Sequence, residues 1–143
     1  MKLSLKILGG CIIASSFLAC HNKAEEESCE VINFPNKDSE LALLMRELSE
    51  DTENVKSQIQ KGKTPVFFTE FESLHTAIPT DTDVRGDGKY TAFADVFIKS
   101  VENLLLTEGD KVDAYNFMVK KCVDCHKQIC PGPIKRIRKL HIK

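Results

Sequence analysis

Apolar residues recur every three or four positions along most of the chain after residue 38, and no long run alternates between apolar and polar residues. This spacing places apolar side chains on one face of an α-helix. A chain of 143 residues suits a single domain. The sequence therefore predicts an all-α fold, and the spacing is clearest in the run Val112, Tyr115, Val119, Cys122, His126 and Ile129.

Capping and stop residues divide the pattern into four helices. The first is predicted over 39–61, the third over 90–107, and the fourth from a cap at Asp110 to about residue 129. Between them, Thr64 and Pro65 predict the start of a second, short helix that ends before Pro79. Its inner face is expected to hold Phe67, Phe68, Phe71 and Leu74. Mostly short loops between the helices predict an up-down-up-down four-helix bundle over 38–130.

The first 19 residues have the composition of an export signal. Lys2 and Lys6 precede an uncharged run, 7–19, that is too short to span a bilayer. The run ends in Ala19-Cys20 and resembles the lipobox of bacterial lipoproteins, which implies that Cys20 carries lipid. The alternative is an ordinary secretory signal that happens to contain this cysteine.

Residues 20–37 are predicted to be a polar tether. Its acidic stretch, Glu25 to Glu27, resembles the surface-export signal of Bacteroidetes lipoproteins. We therefore expect the folded domain to be anchored to a membrane outside the cytoplasm, on the periplasmic face or the cell surface. A formal net charge of -1 gives no electrostatic reason to expect nucleic acid as a partner.

One motif carries recognisable chemistry. Cys122, Cys125 and His126 form Cys-x-x-Cys-His, the attachment sequence of c-type haem. Two thiols three residues apart on a helix reach the two vinyl groups of one porphyrin edge, and the following imidazole reaches the iron. The sequence thus predicts one covalent haem c with His126 as the proximal ligand.

Three other uses of the motif are alternatives to haem attachment. A structural zinc would need further ligands, and the nearby candidates are Cys130 and His141. A redox dithiol would follow a strand in a βαβ unit, and no such unit is predicted. A buried disulfide would leave the adjacent His126 unexplained.

The motif's position near the C-terminus identifies a resemblance. No methionine follows it, since the three are Met1, Met45 and Met118. The pattern over about 39–129 resembles the cytochrome c-prime family of class II c-type cytochromes. This implies a four-helix bundle with the haem on its last helix, and members of that family often pair through their helices, so a homodimer is an open expectation. The extension beyond Cys130 resembles small haem lipoproteins of Bacteroidetes.

The residue opposite His126 decides between two functions. In an antiparallel bundle the start of the first helix lies beside the end of the last, so the distal face should hold Leu41, Leu44, Met45 and Leu48. A Met45 ligand suits electron transfer with a redox partner protein. A leucine there would leave iron five-coordinate and, as the resemblance implies, open to nitric oxide or carbon monoxide. Met45 as simple core filling is the other possibility, and His75 and His141 are more remote candidates.

No acid–base pair or activated nucleophile accompanies the motif, so we expect no enzyme and no catalytic residue. The first hypothesis is a lipid-anchored electron-transfer cytochrome, and the second is a gas-binding haem module. The third is a non-haem exported lipoprotein that holds a structural zinc ion or a disulfide.

The tail, 131–143, is basic and amphipathic. Ile134, Ile137 and Leu140 are spaced by three, with four cations between them: Lys135, Arg136, Arg138 and Lys139. Two compatible roles are expected for the tail: it packs back on the helices, or it supplies cations, with Arg136 and Arg138 as candidates, to the haem propionates.

Counting the six cysteines predicts a disulfide between Cys29 and Cys130. Cys11 leaves with the signal, Cys20 is assigned to lipid, and Cys122 and Cys125 to haem. Exported proteins seldom keep free thiols. The bridge would close a loop of roughly 100 residues. The alternatives are two free thiols or pairing between chains.

Overall fold

The structure is a computed structural model that describes residues 38–86 and 88–143. Within these residues the fold is all-α, with four α-helices and no strand. The helices are α1 (Glu40–Gln60), α2 (Lys89–Leu106), α3 (Val112–Gln128) and the single turn α4 (Ile134–Ile137). Short 3₁₀ helices occupy Phe71–His75, Thr82–Arg85 and Arg138–Leu140. No helix in the described part of the chain combines the length and the apolar character that crossing a membrane requires.

The three long helices lie where the capping residues predicted them. The Ser39 hydroxyl accepts a hydrogen bond from the Ala42 amide, 3.2 Å away, and begins α1. Gly62 has a φ of 66° and ends α1 in a left-handed turn that favours glycine. The Asp110 carboxylate accepts from the Val112 amide at 2.9 Å and begins α3.

The prediction of a second helix, between α1 and α2, is wrong. Residues 63–70 are not helical, and only the 3₁₀ turn Phe71–His75 follows. The Asp51 carboxylate accepts from the amides of Phe68 and Thr69, at 2.8 and 2.7 Å, which holds this segment in a loop against α1. As a result Phe68 is 77% exposed rather than inward. The fourth α-helix instead lies in the C-terminal tail.

The core forms where α2 packs against α3, with α1 contributing buried side chains. Leu104, Tyr115, Met118 and Val119 are buried here, together with Val55 of α1. The Tyr115 hydroxyl lies 3.1 Å from the Thr52 carbonyl and 3.0 Å from the Leu140 carbonyl. This one side chain therefore connects α3 to α1 and to the tail.

The tail packs back on the helices, as one of the two sequence interpretations predicted. Ile137, Leu140 and Ile142 are buried. The Asn116 side chain makes two hydrogen bonds with the backbone of Ile142, at 2.9 and 3.0 Å. The Lys56 ammonium donates to the carbonyls of Lys139 and His141. Residues 134–142 therefore belong to the folded core and do not extend from it.

Candidate functional site

The Cys-x-x-Cys-His motif lies on the last two turns of α3, beside a large cavity. Cys125 and His126 line this cavity, whose volume is about 890 Å³. Its walls come from the start of α1, the loop 79–84, Tyr90, the end of α3 and the tail. Cys122 lines a smaller cavity of about 50 Å³. Met45, Tyr90, Cys125 and His126 line both.

The turn after α3 creates the large cavity. Pro131 and Pro133 stop the helix, and the chain folds back through Gly132. The buried side chains of Ile137 and Leu140 then hold the tail against the helices. The tail thus forms one wall of the space into which His126 opens.

The imidazole of His126 is held by a backbone carbonyl. Its Nδ1 lies 2.7 Å from the carbonyl oxygen of Cys130. A carbonyl only accepts hydrogen bonds, so Nδ1 carries the proton and donates it. The lone pair of the neutral ring is then on Nε2, the arrangement usual for a histidine that binds a metal.

Burial favours the protonated form of both thiols of the motif. Burial raises the pKa of Cys122 to about 12, with a further contribution from Cys125. Burial also raises the pKa of Cys125 to about 11, and Cys130 adds to the shift. Reactive dithiols have lowered pKa values, so this environment does not favour the redox-dithiol interpretation.

The residues around the motif do not make a zinc site. Among residues 38–86 and 88–143, no group of three or more His, Cys, Asp or Glu side chains is arranged to hold a metal ion. Cys130 lines the large cavity, whereas His141 lines a separate depression with Asn116 and Arg138. The two candidate extra ligands are therefore not brought together.

A haem fits the groups that are present. The volume of the large cavity lies in the range of small-molecule and cofactor sites, roughly 300–1,000 Å³. Two thiols and an imidazole with a metal-binding Nε2 border it or the cavity beside it. Cys122 and Cys125 would hold the porphyrin edge, and His126 would bind the iron.

Two of the four predicted distal residues line the large cavity. Leu41 and Met45 do so, one turn apart on α1. Leu44 and Leu48 were expected there too, but both are buried in the core and line neither cavity. At about 100° per residue, Leu44 lies about 100° round α1 from Met45 and packs into the core. Leu48 shares the face of Leu41 but lies almost two turns farther along the helix. The start of α1 therefore lines the cavity, as the antiparallel arrangement led us to expect, through Leu41 and Met45.

The candidate cations of the tail separate into two groups. Arg136 lines the large cavity, whereas Arg138 lines the depression on the other side of α3. Sequence reasoning did not single out Arg46, which lines the cavity and pairs with Asp38 at 2.5 Å. Lys135 and Lys139 also line the cavity, and their spacing of four residues was the available signal that they share a face.

Other expected residues lie apart from the cavity or beyond the described residues. The His75 Nε2 is 3.3 Å from the Asp95 carboxylate, and His75 lines neither cavity. The predicted signal peptide, the lipidated Cys20 and the Cys29 partner of the proposed disulfide fall outside the described residues. Cys130 is exposed and forms no disulfide with another described cysteine.

No model of a known protein family matches the chain. Comparison with curated proteins and with solved structures likewise produced no match.

Proposed function

We propose that this chain is a c-type haem protein, with one haem held through thioethers at Cys122 and Cys125 and ligated by His126. The observation that carries the proposal is the hydrogen bond from His126 Nδ1 to the Cys130 carbonyl, because it leaves Nε2 available at the wall of a cavity of cofactor size. Cys125 lines this cavity, and Cys122 lines the smaller cavity beside it.

The bundle resemblance is part of this proposal. α1, α2 and α3 would correspond to three helices of a cytochrome c-prime bundle, and α3 to the helix that bears the haem. The loop and 3₁₀ turn between α1 and α2 would take the place of the second helix. The packing of α2 against α3 supports this arrangement.

Within this proposal the protein transfers electrons. Bound haem supplies a reversible one-electron couple at iron. The chain's own residues would hold the ring, orient His126 and exclude water from the apolar side near Leu41 and Met45. Met45 lines both cavities with His126, which supports it as the second axial ligand.

Gas binding is the second candidate, and one observation favours it. Leu41 and Ala42 lie beside Met45 in the cavity wall. If Met45 does not bind iron, this wall offers an apolar pocket to nitric oxide or carbon monoxide.

Two spectra test these functions on protein made with the haem-attachment machinery. A pyridine haemochrome spectrum of the c type is expected, and its absence would reject haem attachment. A low-spin ferrous spectrum that carbon monoxide leaves unchanged supports electron transfer. A high-spin spectrum that carbon monoxide shifts would replace it with gas binding.

We also propose that lipid on Cys20 anchors the protein outside the cytoplasm. The expected result is that the protein partitions into the detergent phase of Triton X-114 and that Cys20→Ser moves it to the aqueous phase. Equal partitioning of the two forms would contradict the anchor while leaving the haem proposal intact.

A further inference from the structure

The mouth of the large cavity carries a concentration of positive charge. Lys135, Arg136 and Lys139 line it and are exposed. We call these three side chains the basic rim. None of them forms an ion pair with a carboxylate in the part of the chain that the structure describes. Asp81 is the one acidic side chain among the cavity's described lining residues.

Charge is distributed unevenly along the chain, and the rim lies in its most basic part. Residues 120–143 carry eight Lys or Arg and one Asp or Glu, whereas the rest of the chain carries twelve and twenty. The molecule is net negative, yet the end that bears Cys125, His126 and the rim is positive. The electrostatic potential at the cavity mouth is therefore positive, although the net charge of the protein is negative.

Haem propionates do not account for all of this charge. A haem has two propionate groups, so two rim cations suffice for them. The third rim cation would then stay unneutralised, as would the exposed Arg138 and Lys143 of the same tail. The tail's outer surface keeps a positive charge with haem in place.

The exposed surface of the tail suits docking to a protein better than insertion into a lipid surface. Segments that lie on membranes expose apolar side chains between their cations. Here Ile137, Leu140 and Ile142 are buried in the core, and Ile134 is partly buried. The charged side chains that the tail exposes are all cations.

We propose that the basic rim is the docking surface for an acidic patch on an electron-transfer partner protein. This inference rests on the proposed function, since it assumes a haem behind the cavity mouth. Opposite charges would speed the encounter and orient the partner so that its redox centre faces the haem edge. The rim thereby selects a partner of acidic surface even though this protein is itself net negative.

The direction in which an oxidation rate changes with ionic strength tests the charge at the cavity mouth. Ferrous protein is mixed with ferricyanide, so that the haem iron loses one electron and ferricyanide becomes ferrocyanide. Net charge alone predicts that this anionic oxidant reacts faster at high ionic strength. If the basic rim governs the encounter, the reverse is expected: the reaction with ferricyanide should be on the order of tenfold faster at low ionic strength. A cationic oxidant, cobalt(III) tris-phenanthroline, should show the opposite trend.

A matched pair of variants separates the rim from net charge. The double variant Lys135→Glu, Lys139→Glu leaves Arg136 in place and should abolish the low-salt enhancement. The control Lys61→Glu, Lys63→Glu makes the same change in net charge at exposed positions. These lie at the other end of α1, about 30 Å from its first residue. Equal effects of the two double variants would overturn the proposal.

Binding of a labelled poly-glutamate peptide, followed by fluorescence anisotropy, tests the surface without using the redox centre. Wild type and control should bind with at least about tenfold higher affinity than the rim variant at low ionic strength. Unchanged affinity in the rim variant would overturn the proposal, with or without haem. Haem content, measured first, reports separately on the proposed function.

The membrane is tested in the same oxidation assay. Phosphatidylserine vesicles should slow the ferricyanide reaction no more than phosphatidylcholine vesicles do, whereas poly-glutamate should slow it. Selective slowing by phosphatidylserine, with no effect of poly-glutamate, would assign the rim to lipid headgroups and reject a protein partner.

Discussion

At the scale of single residues, the site depends on one imidazole held in one tautomer. The Cys130 carbonyl accepts from His126 Nδ1 and fixes which nitrogen faces the cavity. That carbonyl belongs to the turn that ends α3, where the following prolines stop the helix. The sequence identified His126, but its hydrogen-bond partner depends on how the chain turns after the helix and could not be read from spacing.

Removing the imidazole should leave haem attached but change the coordination of its iron. In His126→Ala we expect thioether-linked haem in reduced yield, because the two cysteines remain, and loss of the native iron spectrum. The measurement is the absorption spectrum with and without added imidazole. Exogenous imidazole should partly restore the spectrum by filling the vacated position. A native spectrum in the variant would mean that another residue supplies the proximal bond.

Met45 is expected to determine the spin state. Met45→Ala should convert low-spin iron to a high-spin form that binds carbon monoxide, since no sulfur then reaches the metal. Met45→Leu conserves the side-chain volume to within a small change, so it tests the sulfur alone and should give the same spectrum. If the wild type is already high-spin, Met45 is not a ligand, and Leu41 is the residue that faces the distal side.

At the scale of elements, apolar spacing and caps predicted α1, α2 and α3 to within a few residues. The second predicted helix did not form because a buried side chain and weak helix propensity both favour a loop. Val66, Phe67, Phe68 and Thr69 are poor helix formers, and Asp51, seventeen residues earlier than Phe68, accepts their segment's amides. A contact between residues so far apart in the sequence cannot be anticipated from the spacing of apolar residues.

Asp51 should therefore be important for stability. Its carboxylate accepts from two backbone amides and from the Thr69 hydroxyl at 2.6 Å. Asp51→Ala leaves these donors without their acceptor and should lower the free energy of unfolding by about 2–4 kcal/mol. Urea unfolding followed by circular dichroism measures the change. The exposed neighbour Glu50→Ala is the control and should change it by less than about 0.5 kcal/mol. Equal losses would refute this role for Asp51.

Asn116 should hold the end of the tail. Its two hydrogen bonds to Ile142 are made by the side chain alone, so Asn116→Ala should cost about 1–2 kcal/mol. Hydrogen exchange should accelerate in residues 138–143 and stay unchanged in the middle of α2. The exposed Asn103→Ala on α2 serves as the comparison. Unchanged protection of the tail would show that apolar burial suffices to hold it.

At the scale of the whole molecule, the tail converts a set of helices into a walled cavity. The sequence indicated that the tail could pack back or supply cations to the haem propionates. In the fold it packs back, with Ile137 buried, and Arg136 lines the cavity. Which cation faces the cavity depends on the direction in which the chain leaves Pro133. That direction sends Arg138 to the opposite side of α3.

The proposed function requires a haem bonded to α3, and mass spectrometry of the proteolysed protein tests this directly. The protein is produced together with the haem-attachment machinery, with a known c-type cytochrome as a positive control in the same cells. We predict that the peptide containing Cys122, Cys125 and His126 carries the added mass of one haem, and that Cys122→Ser, Cys125→Ser removes it. Recovery of the unmodified wild-type peptide with two alkylatable thiols, while the control cytochrome is loaded, would contradict the account.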